Sequence, residues 1–220
     1  MTADAPLRAS HPPLDAETGD ASNPKVRRIL VAARQLFMER GYGETSMDAI
    51  AQKAAVSKAT LYSHFEGKDA LFAALIVSEC RHLSRRIGAS AMNGPDIRSS
   101  LLEIAEDFNN LLCTGDGLTM YRIVVAEAPR FPELGRIFYD SGPKEMIDRI
   151  ADVLRSASDR GLLKIPDPRV AAMQFISLIK GESQLTRILG LRSSRKSSSE
   201  YVKQSIDLFL AGYGPEKRRK

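Results

Sequence analysis

TSMDAIAQKAAVSKATLYSHFEGKDALF, residues 45–72, reads as two short helices joined by a tight turn. Thr45 stands three residues before Asp48, an arrangement like a capping box, in which the hydroxyl satisfies an orphan amide and the carboxylate favours the positive helix end. Ile50, Ala51 and Ala54 then recur at helical spacing and give a narrow face suited to close packing. Ser57 predicts the N-cap of the second helix, where Leu61 and Phe65 point inward and leave Lys58, Ala59, Thr60, Tyr62, Ser63 and His64 outside. A turn of this length sets two such helices at a steep angle, so the second can enter the major groove of a DNA duplex while the first crosses the backbone.

The outward face carries the side chains that duplex contact needs. Thr60 can donate or accept at a base edge or set its methyl against a thymine, and Ala59 offers the apolar contact alone. Lys58 reaches a guanine or a phosphate, whereas Tyr62, His64 and Lys68 lie where the helix runs toward the sugar-phosphate strands and are assigned to positioning. Sequence preference is therefore expected mainly from residues 57–60, with Ser57 and Thr45, at the helix starts, as further candidate contacts. Upstream, Asn23 and Pro24 predict a cap and a first helical position, and Val26, Ile29, Leu30, Ala33, Leu36 and Phe37 form one stripe ending near Gly41. Lys25, Arg27 and Arg28 project from the first turn, the unfavourable end of the helix dipole for cations. A phosphate partner accounts for them, as does a plain solvated basic end.

The stretch from about residue 24 to 72 resembles the DNA-binding domain of TetR-type transcriptional regulators, with LFMERGYGETSMDAIAQKAAVSKATLYSHFEGKDALF following that family's run nearly throughout. The resemblance implies a homodimer that binds a palindromic operator through paired recognition helices and releases it when a small molecule enters the second domain. AAVS, residues 54–57, stands where the family commonly has AGVS. If Ala55 takes a left-handed conformation there, the turn costs about 1–2 kcal/mol. YRIVVAEAPRFPELGRIFYDSGP, residues 121–143, is similar to the corresponding stretch of AefR-like members of that family.

Charge and composition agree with a nucleic-acid partner. The chain of 220 residues carries a formal charge of +5, and residues 24–70 hold eight Lys/Arg against five Asp/Glu. Basic patches attract phosphate by releasing counterions, so affinity should fall steeply with salt. Residues 1–23, with four acids and Pro6, Pro12 and Pro13, have the composition of an unstructured tail, and 214–220 form a basic one. No apolar run is long enough for a membrane span, and the start lacks the pattern of a signal peptide, which points to the cytoplasm. Cys80 and Cys113 have no metal-like spacing and are expected to be buried and reduced. No nucleophile with its base, ligand cluster or glycine-rich phosphate cradle occurs, so neither catalysis nor a cofactor or metal is expected.

Beyond residue 70 the pattern is of long helices, an all-α regulatory and dimerisation domain over residues 71–213. Helices are predicted at about 68–88, 96–113, 118–128, 132–141, 143–160, 168–189 and 199–212, with Gly115 to Gly117, Pro129 and Pro132, and Gly142–Pro143 as breaks. The first of these bridges the domains, so that a shift at its far end can move the DNA-reading head. Phe108, Leu112, Met120, Tyr121, Val124, Phe138, Met146, Ile150 and Phe175 are the candidate effector pocket, although such a stripe serves equally as core. Arg122 and Glu127 could orient a polar ligand head. Ala172, Phe175, Ile176, Ile179, Leu185 and Leu189, with Val202, Ile206, Phe209 and Leu210, are the candidate dimer face, two helices from each chain crossing near Gly181. The rival class is an architectural helical module that grips nucleic acid without sequence preference, which competition by unrelated duplex would reveal.

Overall fold

A computed structural model of the chain describes residues 23–84, 96–113, 115–191 and 195–215. Among them every regular element is helical: α1 (Pro24–Arg40), α2 (Met47–Lys53), α3 (Lys58–His64), α4 (Lys68–Ser84), α5 (Ile97–Cys113), α6 (Gly115–Glu127), α7 (Pro132–Tyr139), α8 (Glu145–Asp159), α9 (Pro168–Ile188) and α10 (Arg195–Tyr213). They form two compact units that divide between Leu75 and Ile76, inside α4. The expected tails lie outside the described residues except for Asn23, Gly214 and Pro215.

In the first unit the Asn23 side chain accepts the Lys25 amide at 2.9 Å, and Pro24 fills the first helical position, where no amide is needed. Val26, Ile29, Ala32, Ala33, Leu36 and Phe37 are buried on the inner face of α1, with Ala32 in the place expected for Leu30. The cap of α2 lies one residue beyond the expected position. Ser46 accepts the Ala49 amide at 3.2 Å, while Thr45 is 2% exposed and donates toward the Gly41 and Leu36 carbonyls at 2.8 and 3.2 Å. Thr45 thus satisfies carbonyls left open at the end of α1, and its burial removes it from the expected DNA contacts.

The turn between α2 and α3 places Ala55 at φ 52°, a left-handed conformation. Replacing Ala55 with glycine is expected to raise the unfolding free energy by about 1 kcal/mol, because the relief of strain exceeds the extra freedom given to the unfolded chain. A denaturant titration measures this, and a lowered midpoint would show the turn to be unstrained.

In the second unit α9 packs against α8 and α10, and α5 packs against α9 and α10. Leu101, Ile104, Phe108, Leu154, Phe175, Ile179 and Ile206 lie at the centre of one continuous apolar core. Asp167 caps α9 by accepting the Arg169 and Val170 amides at 2.9 and 3.1 Å. Two expected breaks are helical instead. α6 begins at Gly115, and Gly142–Pro143 lie in a wide turn, Asp140–Lys144, that carries α7 into α8. The wider hydrogen-bond register of that turn accommodates the amide that proline lacks. Gly142 is required there, since a Cβ would come within 2.9 Å of the Cys80 sulfur.

α9 is kinked at Gly181, whose φ of 49° and ψ of −157° lie outside the helix. The close crossing expected at Gly181 between two chains occurs within one. An added Cβ would stand 2.5 Å from the Tyr201 ring of α10.

Candidate nucleic-acid interface and regulatory core

α3 is held from beneath and capped from its own start. Leu61 is fully buried and Phe65 is 7% exposed. Ser57 accepts the Thr60 amide at 3.1 Å, and the two hydroxyls lie 2.9 Å apart. Lys58, Ala59, Tyr62 and Ser63 are exposed, whereas Thr60 and His64 are half-buried. The anchored helix therefore presents one face of hydroxyl, methyl, phenol and ammonium groups.

The Lys58 amine is paired with Asp48 of α2 at 2.6 Å. The hydrogen bond to Asp48, and then its charge, hold the Lys58 pKa above its ordinary value. Contact with a guanine or phosphate means leaving that carboxylate. Lys25, Arg27 and Arg28 stand exposed on the first turn of α1.

Lys68 departs from its expected role. Its amine donates to the Tyr42 and Gly43 carbonyls at 2.8 and 3.3 Å and lies 4.4 Å from the centre of the Tyr42 ring. It binds the loop between α1 and α2 to the start of α4 rather than projecting into solvent. Tyr42, absent from the sequence-based candidates, organises this region. Its hydroxyl donates to Asp69, and its ring stacks on Phe37 and tilts against Phe72. An aromatic between Gly41 and Gly43 was the available signal.

Of the candidate pocket residues, Phe108, Met146, Ile150 and Phe175 belong to the continuous core. Met120 and Val124 are buried on α6, and Tyr121 and Phe138 are half-buried with ring centres 5.8 Å apart. The Leu112 side chain lies outside the described residues. Arg122 is held within the chain. Its guanidinium donates to the Arg187 and Ile188 carbonyls and closes the end of α9. Lys180, which the sequence did not single out, is partly buried, and that burial lowers its pKa from the ordinary lysine value. The Cys80 thiol is buried and free, pushed up to about 12 by burial and then by the charges of Glu145 and Glu79.

The candidate dimer face needs a larger correction. Ala172, Phe175, Ile176, Ile179, Val202, Ile206 and Phe209 are at most 5% exposed within the single chain, and Leu210 packs against the same core. These residues belong to the one core that α5, α8, α9 and α10 share, so they are already covered. Leu185 and Leu189 remain exposed. The open face of α9 and α10 instead carries an apolar groove of about 570 Å³ lined by Met173, Gln174, Ser177, Leu178, Tyr201, Leu208, Phe209, Gly212 and Tyr213. Among the described residues no helix is long and apolar enough to cross a membrane, and no group of three or more side chains could hold a metal ion.

Comparison with known proteins matches both units. Residues 29–75 fit the family described as bacterial regulatory proteins of the tetR family, and residues 99–215 fit the C-terminal domain of AefR-like transcriptional repressors. A solved protein from Mesorhizobium loti assigned to the TetR family of transcriptional regulators is 28% identical, with a TM-score of 0.82 over 87% of this chain and 97% of its own. The flavonoid-responsive regulator FrrA is 38% identical, with a TM-score of 0.74 over 88% of this chain and 98% of its own. The uncharacterised HTH-type transcriptional regulator YvkB of Bacillus subtilis is 27% identical over 86% of this chain and 97% of its own length. These relatives are transcriptional regulators rather than enzymes.

Proposed function

Because the chain belongs to the TetR family of DNA-binding transcriptional regulators, we propose that it is a dimeric repressor that holds a palindromic operator and releases it when a small molecule occupies the second unit. The observation that carries this reading is the exposed face of α3, where Lys58, Ala59 and Tyr62 stand clear of a helix anchored by Leu61. We assign DNA binding to residues 24–70 and regulation and dimerisation to 71–213, with short tails at either end. Two copies of the head, one helical turn apart on the duplex, read enough bases to be selective, whereas one copy does not. The open groove on α9 and α10 is the surface through which the copies would meet.

Footprinting on the DNA flanking its own gene tests the reading, followed by a screen for compounds that relieve protection. Because one relative is named as flavonoid-responsive, planar polyphenols are the first compounds to screen. Equal displacement of a labelled operator by any duplex would favour a non-specific architectural role.

Within the head, Tyr62→Ala is expected to weaken binding to all duplexes alike, about tenfold, while Thr60→Val changes which bases are preferred at one operator position. Binding titrations over a set of operator variants separate the two. The same loss from both substitutions at every sequence would contradict this division between positioning and base reading.

A further inference from the structure

Beyond the kink at Gly181 the end of α9 is a short helical piece with fastenings of its own. At its start the Tyr201 ring of α10 occupies the place that a side chain on Gly181 would need, so contact as well as backbone freedom sets the bend. Its end is closed twice. Gly190, at φ 76°, turns the chain back so that the Leu191 amide donates to the Thr186 carbonyl at 2.8 Å and its own amide to the Arg187 carbonyl at 3.0 Å. Arg122 of α6 then donates from outside to the Arg187 and Ile188 carbonyls, the second at 3.1 Å, and puts a cation at the negative end of the helix dipole. Between these fastenings Leu185 and Leu189 stand four residues apart, and Leu191 follows them. All three are exposed, Leu189 to 63%.

We propose that this piece extends the interface between two copies of the chain beyond the α9–α10 groove, and that Arg122 is the residue that positions it. The inference rests on the dimeric reading above and adds to it a surface and the support of that surface. The three leucines lie at the end of the helix that carries Met173, exposed in the groove, and the adjoining α10 exposes Tyr201 and Leu208 there. Apolar surface left in water along two packed helices marks a place of association. A second copy is the occupant that continues it, because in a symmetric pair each chain presents the same strip to the other. Burial rewards such a strip only when it is held in one direction. Without Arg122 the Ile188 carbonyl loses the bond it receives from α6, and the piece is free to pivot at Gly181. Ordering it would then count against association, a cost that the Arg122 contact removes before the copies meet.

The test uses the full chain and two measurements, sedimentation equilibrium for pairing and amide hydrogen exchange for the piece, the latter at a concentration where the copies stay paired. Arg122→Met is expected to quicken exchange over residues 182–191 at least about tenfold, to leave 168–180 as they were, and to raise the dimer dissociation constant about tenfold. Arg122→Lys, which keeps a charged donor, is expected to recover part of both losses. Leu189→Ser, which leaves Arg122 alone, is expected to weaken pairing at least about tenfold, since the side chain is lost from both copies. Thermal melting verifies that each variant folds. A wild-type dimer that either Arg122→Met or Leu189→Ser leaves equally tight overturns the assignment alone. So does exchange that is unchanged in Arg122→Met, or that rises over 168–180 as well, which would make Arg122 a support of the whole core. A wild-type chain that sediments as a monomer overturns the assignment and the dimeric reading together.

Discussion

Replacing Leu208 with glutamate is expected to yield a folded monomer whose operator affinity is lower by at least about a hundredfold. Leu208 is 63% exposed on α10, within the groove that also holds Met173 and Tyr201. Such a side chain gives a single chain little to bury, so its loss should barely change the melting of an isolated copy. In a symmetric pair the same position occurs twice, and each new carboxylate would be taken from water without a partner, at a cost of several kcal/mol per ion. A monomer offers one α3 and reads half an operator, which is the source of the affinity loss. Sedimentation and gel-shift titration at matched salt measure the two effects. A Leu208→Glu chain that remains dimeric would place the interface elsewhere.

Phe72→Ala is expected to destabilise the first unit by about 3–5 kcal/mol, the range for truncating a buried phenylalanine. The Phe72 ring is fully buried, its centre 4.8 Å from that of Phe37 in an edge-to-face arrangement and 5.0 Å from that of Tyr42. A head this small has little stability to spare, so a loss of that size leaves α3 without its support and abolishes DNA binding. The second unit has a separate core and should keep its own transition. Calorimetry would therefore lose the transition of the head and keep the other. Phe72→Leu, which conserves most of the volume, should recover most of the loss. An unchanged head transition in Phe72→Ala would mean that Phe37 and Tyr42 suffice to hold α4.

The parts of the molecule legible in sequence are those set by local chemistry. Asn23 before Pro24, Ser57 before α3 and Asp167 before α9 all cap as expected, because a cap depends on a few neighbouring residues. Leu61 and Phe65 point inward because spacing fixes the face of a short helix. The left-handed turn at Ala55 followed from the resemblance to a family that carries glycine there. Thr45 and Ser46 are two adjacent candidates for one cap, and the choice was decided by carbonyls on α1 that spacing does not reveal.

Faces shared among several helices were harder. α9 has apolar residues on more than one side, and only the positions of α5, α8 and α10 decide which side is covered. Phe175, Ile176 and Ile179 therefore looked available to a partner although they form the core, whereas Met173 and Leu208 were passed over. Lys68 looked like a phosphate ligand because its exposed neighbours suggested one, but backbone carbonyls distant in sequence hold its amine. The turn at Gly142–Pro143 carries the usual signature of a break, and contact with Cys80 leaves room for a helical path there only because residue 142 has no side chain.

The ion pair between Lys58 and Asp48 has a kinetic consequence. Both side chains are largely exposed, so the pair can open, but the lysine of the unbound protein already has an anion at 2.6 Å. A phosphate contact alone exchanges one oxyanion for another and leaves the Asp48 carboxylate facing a polyanion. A guanine edge adds two acceptors to that exchange and shifts the balance. On the proposed reading, dwell times on duplexes that offer Lys58 no guanine edge are expected to be shorter than on those that do, through a bond that exists before any DNA is met.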